Sequence, residues 1–269
     1  MTHIPTLALE ARDLTLAYER AVVFEHLDLG VERGSVTTLI GANGSGKSTL
    51  LKAFARLLTP RAGAVLLDGE PIRGQSTRAI ARRLAILPQK PLMPSATSVR
   101  DLVSRGRHPH QSLLKPWTPA DAAAVDEALA ATGVAELADR DAASLSGGQL
   151  QRAWIALVLA QQTAVVLLDE PTTFLDLSHQ LEVLRLVRSM NSERTTTVVM
   201  VLHDLSLAAR FSDRLVVLGD GRVLADGAPW DVLTPPVLRH AFDLDAMVIS
   251  DPATGTPLVV PREPAPHRA

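Results

Sequence analysis

The chain has 269 residues, of which 46% are hydrophobic, and this is enough to bury the core of one large domain or of two closely joined lobes. Its 27 basic and 29 acidic residues give a net charge of −2, which argues against binding of nucleic acid or anionic lipid through the whole surface. The chain has no cysteine, which excludes disulfides, thiolate metal sites and thiol nucleophiles.

The N-terminal third is predicted to contain mainly strands. Residues 1–35 carry the alternating runs TLALEARDLTLAY and VVFEHLDLGV, which predict antiparallel strands. The same start has no basic flank followed by an apolar core, so we expect no secretory signal. Next come a buried strand, SVTTLI, a loop and helix, GANGSGKSTLLKAFARLL, and a strand, GAVLLDG. A basic helix, STRAIARRLA, and a short strand, AILPQ, complete this part.

The middle of the chain changes character at Lys90. Five prolines break it into short pieces, and helical patterns follow at about 98–106 and 119–132. No strand signal returns before AVVLLDE at residues 164–170. We therefore predict that residues 90–162 form a helical subdomain inserted into a sheet-based core.

The last third alternates strands with helices. The predicted order is strand 164–169, helix 178–193, strand 196–202, helix 205–212 and strand 214–219, which is typical of a mainly parallel sheet. LGDGRVLADG then predicts a hairpin with an Asp-Gly turn. The longest apolar runs are too short to span a bilayer. We predict one α/β domain over residues 1–260, with its core at 1–89 and 163–260, and a flexible tail at 261–269.

A phosphate-binding loop is predicted at GANGSGKS. The pattern is G-x-x-x-x-G-K-[ST], and it lies between a buried strand and a helix, which is the context it requires. Its glycines let backbone N–H groups surround phosphates, Lys47 can reach the β- and γ-phosphate oxygens, and Ser48 can hold Mg²⁺. The predicted nucleotide-binding residues are Gly41, Ala42, Asn43, Gly44, Ser45, Gly46, Lys47, Ser48 and Thr49.

A pair of carboxylates follows the strand AVVLL. Asp169 lies at the C-terminal end of this strand, where α/β proteins bind ligands, and it is predicted to hold Mg²⁺. Glu170 can orient or deprotonate a water molecule in line with the γ-phosphate. A solvated Asp-Glu pair is the alternative, which the nearby phosphate loop disfavours.

A second glycine-rich helix start lies at SLSGGQLQRAWIALVLAQQ. Gly147 and Gly148 follow Ser146, although a glycine inside a helix costs about 1 kcal/mol relative to alanine. Ser146 is a good N-cap, but a cap needs no glycine pair after it. Bare backbone at a helix N-terminus suits a phosphate, so the sequence predicts a second phosphate contact here.

These motifs together resemble the ABC-type ATPases, because LSGGQ at 145–149 matches the family's signature sequence and lies upstream of the Asp169–Glu170 strand. The resemblance covers essentially the whole chain. It implies a P-loop NTPase core, an N-terminal antiparallel β subdomain and an inserted helical subdomain. It also implies a two-fold dimer in which each copy lends residues to the ATP of the other. Those residues would be Ser146, Gly147, Gly148, Gln149 and, at the interface, Asp176.

The resemblance assigns roles to further positions. Tyr18 would stack on adenine, Gln89 would contact Mg²⁺ and the attacking water, and His203 would contact the γ-phosphate. With Glu170, Gln89 and His203 form the expected catalytic set, and Ser48, Gln89 and Asp169 form the expected Mg²⁺ set. Leu150 departs from the family, which commonly has a basic residue after the signature, and its effect is left open.

A finer resemblance concerns the transported substrate. Segments such as SRGRHPHQSLLKPWTPAD, DEPTTFLDLSHQLEVLRLV and DPATGTPLVVP are similar to those of ATPases of iron(III)–siderophore importers. This implies a separate membrane permease, indirectly a substrate-binding protein, no nucleic acid partner, and a peripheral location on the cytoplasmic face of the membrane. Heme or cobalamin import remains an alternative, as does a soluble ABC ATPase without a role in transport.

Overall fold

The computed structural model describes residues 6–19, 21–93, 96–112, 116–173 and 175–262. The chain divides into two compact units, one made of residues up to 73 and from 199 onward, the other of residues 74–198. The predicted tail lies mostly outside the described residues. The bounds predicted for the helical insertion stay a prediction. No helix in the described part of the chain has the length and apolar character needed to cross a membrane.

The first unit begins with an antiparallel sheet. In chain order its strands and helix are β1 (Leu7–Tyr18), β2 (Ala21–Glu32), β3 (Val36–Ile40), α1 (Lys47–Phe54), β4 (Ala62–Leu67) and β5 (Glu70–Pro71). The antiparallel sheet has the order β2-β1-β4-β5. Leu14 and Leu16 on β1 are completely buried, while Arg12 is exposed, as the alternating pattern predicts. The predicted N-terminal β subdomain is therefore confirmed.

Strand β3 belongs to the second sheet and positions the phosphate loop. All five of its residues, including Thr37 and Thr38, are buried, which is typical of a strand in a parallel sheet covered on both faces. The chain leaves β3 at Gly41 and enters α1 at Lys47. This strand–loop–helix arrangement confirms the context that the glycine-rich motif predicted.

The second unit contains the helical part of the chain. Its elements are α2 (Thr77–Ala81), β6 (Leu84–Leu87), α3 (Val99–Ser104), a 3-10 turn (Arg105–His110), α4 (Pro119–Ala131), α5 (Gly147–Ala160), β7 (Val165–Asp169) and α6 (Leu177–Arg194). Helices α3, α4 and α5 pack against one another. Strands β6 and β7 pair in parallel. The helix predicted at 98–106 ends earlier, at Ser104, and continues as the 3-10 turn.

Gly106 allows the 3-10 turn to lie close to the backbone of α5. A Cβ atom at this position would lie 2.3 Å from the carbonyl oxygen of Leu157 and 3.2 Å from the backbone nitrogen of Gln161. No side chain fits at that distance, so the 3-10 turn crosses the C-terminal half of α5 in direct backbone contact.

The last part of the chain crosses the boundary between the units. Strand β8 (Thr197–Val201) contains that boundary, and the first unit continues with α7 (Leu205–Phe211), β9 (Arg214–Gly219), β10 (Arg222–Gly227), α8 (Pro229–Val232), α9 (Pro235–Phe242), β11 (Ala246–Ser250) and β12 (Pro257–Pro261). The strand order is β10-β9-β3-β8 in the first unit and β8-β7-β6 in the second.

Strand β9 is parallel to β3 and antiparallel to β10. Asp220 and Gly221, with φ of 51° and 69°, form the predicted Asp-Gly turn between β9 and β10. The mainly parallel sheet is thus confirmed. The short helices α8 and α9 and the pairing of β11 with β12 were not predicted from the sequence.

Candidate active site

The phosphate loop has the backbone that its glycines allow. Gly41, Gly44 and Gly46 have φ of 151°, 80° and 93°, which side-chain-bearing residues rarely adopt. A Cβ atom on Gly41 would also lie 2.2 Å from the carbonyl oxygen of Leu218. Glycine is therefore required at these positions by backbone conformation, and at Gly41 also by the neighbouring strand.

The loop folds around the ammonium group of Lys47. This side chain is only 6% exposed, and its Nζ donates to the carbonyl oxygens of Gly41 and Ala42 at 2.9 and 2.8 Å and to Ser45 Oγ at 3.4 Å. Gly46, the N-cap of α1, provides no side-chain cap. The Lys47 ammonium group thus lies inside the loop that leads into the N-terminus of α1. This arrangement suits a polyphosphate.

Two further predicted residues lie in the first unit. Tyr18, at the end of β1, is 44% exposed, so its ring is accessible for stacking. His203 is exposed and follows β8. The next residue, Asp204, caps α7 by accepting a hydrogen bond from the backbone N–H of Leu207 at 2.8 Å. This cap fixes the backbone directly after His203.

The second unit holds the predicted carboxylates. Asp169 is the last residue of the fully buried strand β7 and is itself 4% exposed. Glu170 follows with a φ of 53°, a left-handed conformation that is uncommon outside glycine. Such conformations cost on the order of 1–3 kcal/mol and are concentrated at functional sites. The backbone therefore turns sharply where the predicted catalytic carboxylate begins.

The side chain of Glu170 is held by two neighbours. Its Oε2 accepts a hydrogen bond from Gln89 Nε2 at 2.6 Å and another from Thr173 Oγ1 at 2.9 Å. The sequence predicted Gln89 and Glu170 separately, and the fold brings them into direct contact across 81 positions of the chain. Thr173 was not predicted. Its only signal is its position three residues after Glu170, in the turn that leaves the strand.

The signature helix α5 has a serine cap. Ser146 Oγ accepts from the backbone N–H of Gln149 at 3.3 Å, and Gln149 Oε1 accepts from the backbone N–H of Ser146 at 3.1 Å. This reciprocal pair is a capping box, so Ser146 and Gln149 have a structural role in addition to the predicted phosphate contact. Ser146 and Gly147 are exposed, and a Cβ atom on Gly147 would meet nothing within 4 Å. This end of the helix is accessible.

Asp176 caps the next helix, α6. Its Oδ1 accepts hydrogen bonds from the backbone N–H of His179 at 3.0 Å, from Ser178 Oγ at 2.8 Å and from His179 Nδ1 at 2.8 Å. These hydrogen bonds lower the pKa of Asp176 to about 2, and the bond from the His179 backbone N–H has the largest effect. The carboxylate is therefore ionised at neutral pH. Phe174, in the same predicted motif, lies outside the described residues.

Comparison with known proteins identifies the family. The family model described as ABC transporter matches residues 24–173, more than half of the chain. The chain belongs to this family. It is an ATP-binding protein of this family that hydrolyses ATP in support of transport.

Curated relatives and a solved structure extend the match over nearly the whole chain. The achromobactin transport ATP-binding protein CbrD of Dickeya dadantii is 51% identical over 97% of this chain and 98% of its own length. The ferric enterobactin transport ATP-binding protein FepC of Escherichia coli is 47% identical over 94% of this chain and 93% of its own. A structure described as a metal-chelate type ABC transporter in an inward-facing conformation matches with a TM-score of 0.82, at 28% identity and 96% and 98% coverage. The predicted ABC ATPase fold is confirmed.

Proposed function

We propose that this ABC ATPase energises the import of ferric siderophores through a separate membrane permease. The observation that carries the proposal is the similarity to a ferric enterobactin transport ATP-binding protein, which extends over 94% of this chain and 93% of that protein. The similarity to the solved structure of a metal-chelate type ABC transporter supports the same class of cargo.

ATP would be bound through its phosphates by residues 41–49 and through adenine by Tyr18. Lys47 would contact the β- and γ-phosphates, because its ammonium group already lies inside the loop. The left-handed conformations of Gly41, Gly44 and Gly46 would let the loop backbone curve around the same oxygens. The exposed ring of Tyr18 is free to stack.

Mg²⁺ would be held by Ser48, Gln89 and Asp169. Among the described residues no group of three or more histidine, aspartate or glutamate side chains could hold a metal. Mg²⁺ nevertheless fits the hydroxyl of Ser48, the amide oxygen of Gln89 and the buried carboxylate of Asp169. This ion usually keeps several water ligands and takes further oxygens from phosphates, so it needs few protein ligands. When bound, the ion would neutralise negative charge on the phosphates during hydrolysis.

Hydrolysis would depend on Glu170, Gln89 and His203. Glu170 would accept the proton of the attacking water, and Gln89 and His203 would orient that water and the γ-phosphate. The 2.6 Å hydrogen bond between Gln89 and Glu170 gives Gln89 a direct means to hold the carboxylate. Loss or rotation of Gln89 would change the position of Glu170 as well.

Two copies of the chain would close around two ATP molecules. Ser146, Gly147, Gly148 and Gln149 of one copy would contact the γ-phosphate bound by the other, and Asp176 would lie at the interface. A two-fold arrangement uses the same surface on both copies, so one chain can build both composite sites. The accessible glycine-rich start of α5 supports this proposal.

The remaining partners follow from the importer class. The dimer would attach to permease subunits on the cytoplasmic face of the membrane, and a substrate-binding protein would deliver the cargo to the permease. Nucleic acid is not an expected partner, since the net charge is −2. Heme or cobalamin as cargo would leave the ATPase itself unchanged.

Uptake of radiolabelled ferric siderophore by the native host under iron limitation tests the proposal. The chromosomal gene would be replaced by Glu170→Gln, and labelled cobalamin and heme would be measured in parallel. Glu193→Gln is the matched control, because Glu193 is an exposed residue near the end of α6. We expect Glu170→Gln to lower siderophore uptake at least tenfold, because turnover stops, and Glu193→Gln to leave it unchanged.

Each result points to a different conclusion. Selective loss of siderophore uptake supports the proposal. Intact siderophore uptake with loss of cobalamin or heme uptake would keep the importer and replace the cargo. No loss in any of the three assays would contradict a role in importing these substrates and favour a non-transport ATPase.

A further inference from the structure

The start of the signature helix α5 contacts the start of α6 along one side. Gly148, Gln151 and Arg152 are spaced so that they share a face of α5, and His179 and Glu182 share a face of α6. Arg152 Nη1 donates to Glu182 Oε2 at 2.6 Å. Gln151 Nε2 donates at 2.8 Å to the carbonyl oxygen of Pro171, in the turn after Glu170.

His179 makes the contact nearest to the signature glycines. A Cβ atom on Gly148 would lie 3.0 Å from Cδ2, 3.2 Å from Cγ and 3.4 Å from Nε2 of His179. The imidazole therefore lies next to the space that a side chain at position 148 would need. Gly148 has no left-handed φ, so the contact that favours glycine here is the one with His179.

The imidazole is held in this position by Asp176. The carboxylate of Asp176 has no proton to give, so the 2.8 Å hydrogen bond requires the proton to be on Nδ1 of His179. The same Oδ1 also accepts from the His179 backbone N–H. Two bonds to one carboxylate fix both the backbone and the ring of His179, although its side chain is 39% exposed.

We propose that His179 is a positioning residue that connects Asp176 to Gly148 and thereby sets the orientation of the signature helix end for the ATP of the second copy. A shift of Asp176 on contact with that copy would move the ring and, through it, the glycine-rich start of α5. The proposal deepens the composite site described above and depends on it. His179 touches neither nucleotide nor reacting water.

The test measures ATP-dependent dimer formation of the full chain in a Glu170→Gln background, where hydrolysis does not interfere. The ATP concentration for half-maximal dimer is read by light scattering. Binding of a fluorescent ATP analogue to the monomer is measured separately. We expect His179→Ala to raise the half-maximal concentration about tenfold, since small misplacements of contact groups have effects of this order or larger. Monomer binding stays unchanged, because the phosphate loop is intact.

Two variants separate positioning from a general structural effect. His179→Asn keeps a donor for Asp176 in a smaller side chain, and we expect it to recover dimer formation to within about threefold of the parent. His240→Ala is the matched control, because His240 is a helical histidine that faces a carboxylate, Asp220 at 3.6 Å, and it should change nothing. An Asn variant as impaired as the Ala variant would contradict the role of Asp176.

A double substitution tests the contact itself. Gly148→Ala alone should impair dimer formation because its Cβ atom meets the ring, and adding His179→Ala should cause no further loss. Impairments that multiply would mean that the two residues act separately, and the proposal would be wrong.

Failure of the composite site is distinguishable from failure of this proposal. If the Glu170→Gln parent forms no dimer at saturating ATP, the composite site itself is wrong. If the parent forms the dimer and His179→Ala forms it equally well, the composite site stands and the positioning role is rejected.

Discussion

At the residue scale, Arg107 and Asp121 form a buried ion pair in the second unit. Their side chains are 8% and 6% exposed, and Arg107 Nε donates to Asp121 Oδ1 at 2.9 Å. Arg107 Nη1 also donates to the carbonyl oxygen of Ala160 at 2.7 Å, and Thr118 Oγ1 donates to Asp121 Oδ2 at 2.7 Å. The pair thus joins the 3-10 turn, α4 and the end of α5 with its charges well paired.

Removal of the cation should destabilise the second unit. Arg107→Met would leave Asp121 buried without its partner, and we expect a loss of about 3 kcal/mol in the free energy of unfolding. Arg105→Met, at an exposed position in the same turn, should change it by less than about 0.5 kcal/mol. Urea unfolding followed by tryptophan fluorescence measures both. Equal effects of the two substitutions would contradict a special role for the buried pair.

The same pair predicts a dependence on pH. Burial raises the pKa of Asp121, but hydrogen bonds from Thr118 and Arg107 outweigh burial and lower it overall. A lowered pKa stabilises the fold fully above the unfolded carboxyl pKa of about 4, and this stabilisation is lost as the pH falls through the folded pKa. The difference between wild type and Arg107→Met should therefore shrink below about pH 4.

At the element scale, Ser146 at the start of α5 has to meet two requirements. The capping box of Ser146 and Gln149 stabilises the helix, and an N-cap of this kind contributes about 1 kcal/mol. The proposed phosphate contact requires the same end to stay accessible and free of negative charge. Serine and two small glycines satisfy both requirements, whereas a larger or acidic cap would satisfy only the first.

Ser146→Asp separates the two requirements. Aspartate caps helices as well as serine does, so stability should stay within about 0.5 kcal/mol of wild type. Its charge would repel the γ-phosphate of the other copy, so ATP-dependent dimerisation in the Glu170→Gln background should be lost while the monomer still binds nucleotide. Ser76→Asp, at the N-cap of α2, is the matched control and should dimerise normally. Normal dimerisation of Ser146→Asp would argue against a phosphate contact at this helix.

At the scale of the whole molecule, the chain carries two glycine-rich helix starts, and both are proposed to bind phosphate. The start of α1 belongs to the first unit and the start of α5 to the second. In the proposed composite site, both ends contact one ATP only when two copies combine, so ATP is expected to control the oligomeric state.

The expected result is an ATP-dependent change of mass. Glu170→Gln with saturating ATP should double the scattering mass of the purified chain, because the carboxylate proposed to activate water is gone while binding remains. Lys47→Ala combined with Glu170→Gln should stay monomeric, since the phosphate loop has lost its ammonium group. A Glu170→Gln protein that remains a monomer at saturating ATP would contradict the composite site.

Local signals in the sequence determined much of this protein. The glycines of the phosphate loop, the buried run before Asp169 and the Asp220–Gly221 turn each predict their own backbone, because allowed dihedral angles and apolar periodicity act over a few neighbouring residues. The family and its fold followed from these motifs in their order along the chain.

Only the tertiary structure decided how distant side chains meet. The hydrogen bond of Gln89 to Glu170, the position of His179 against Gly148 and the need for glycine at residue 106 all depend on segments that are far apart in the chain or belong to different elements. Propensity and periodicity describe one segment at a time and carry no information on such distances. Such distances are set by how the elements pack, as the packing of α3, α4 and α5 and the contact of α5 with α6 show.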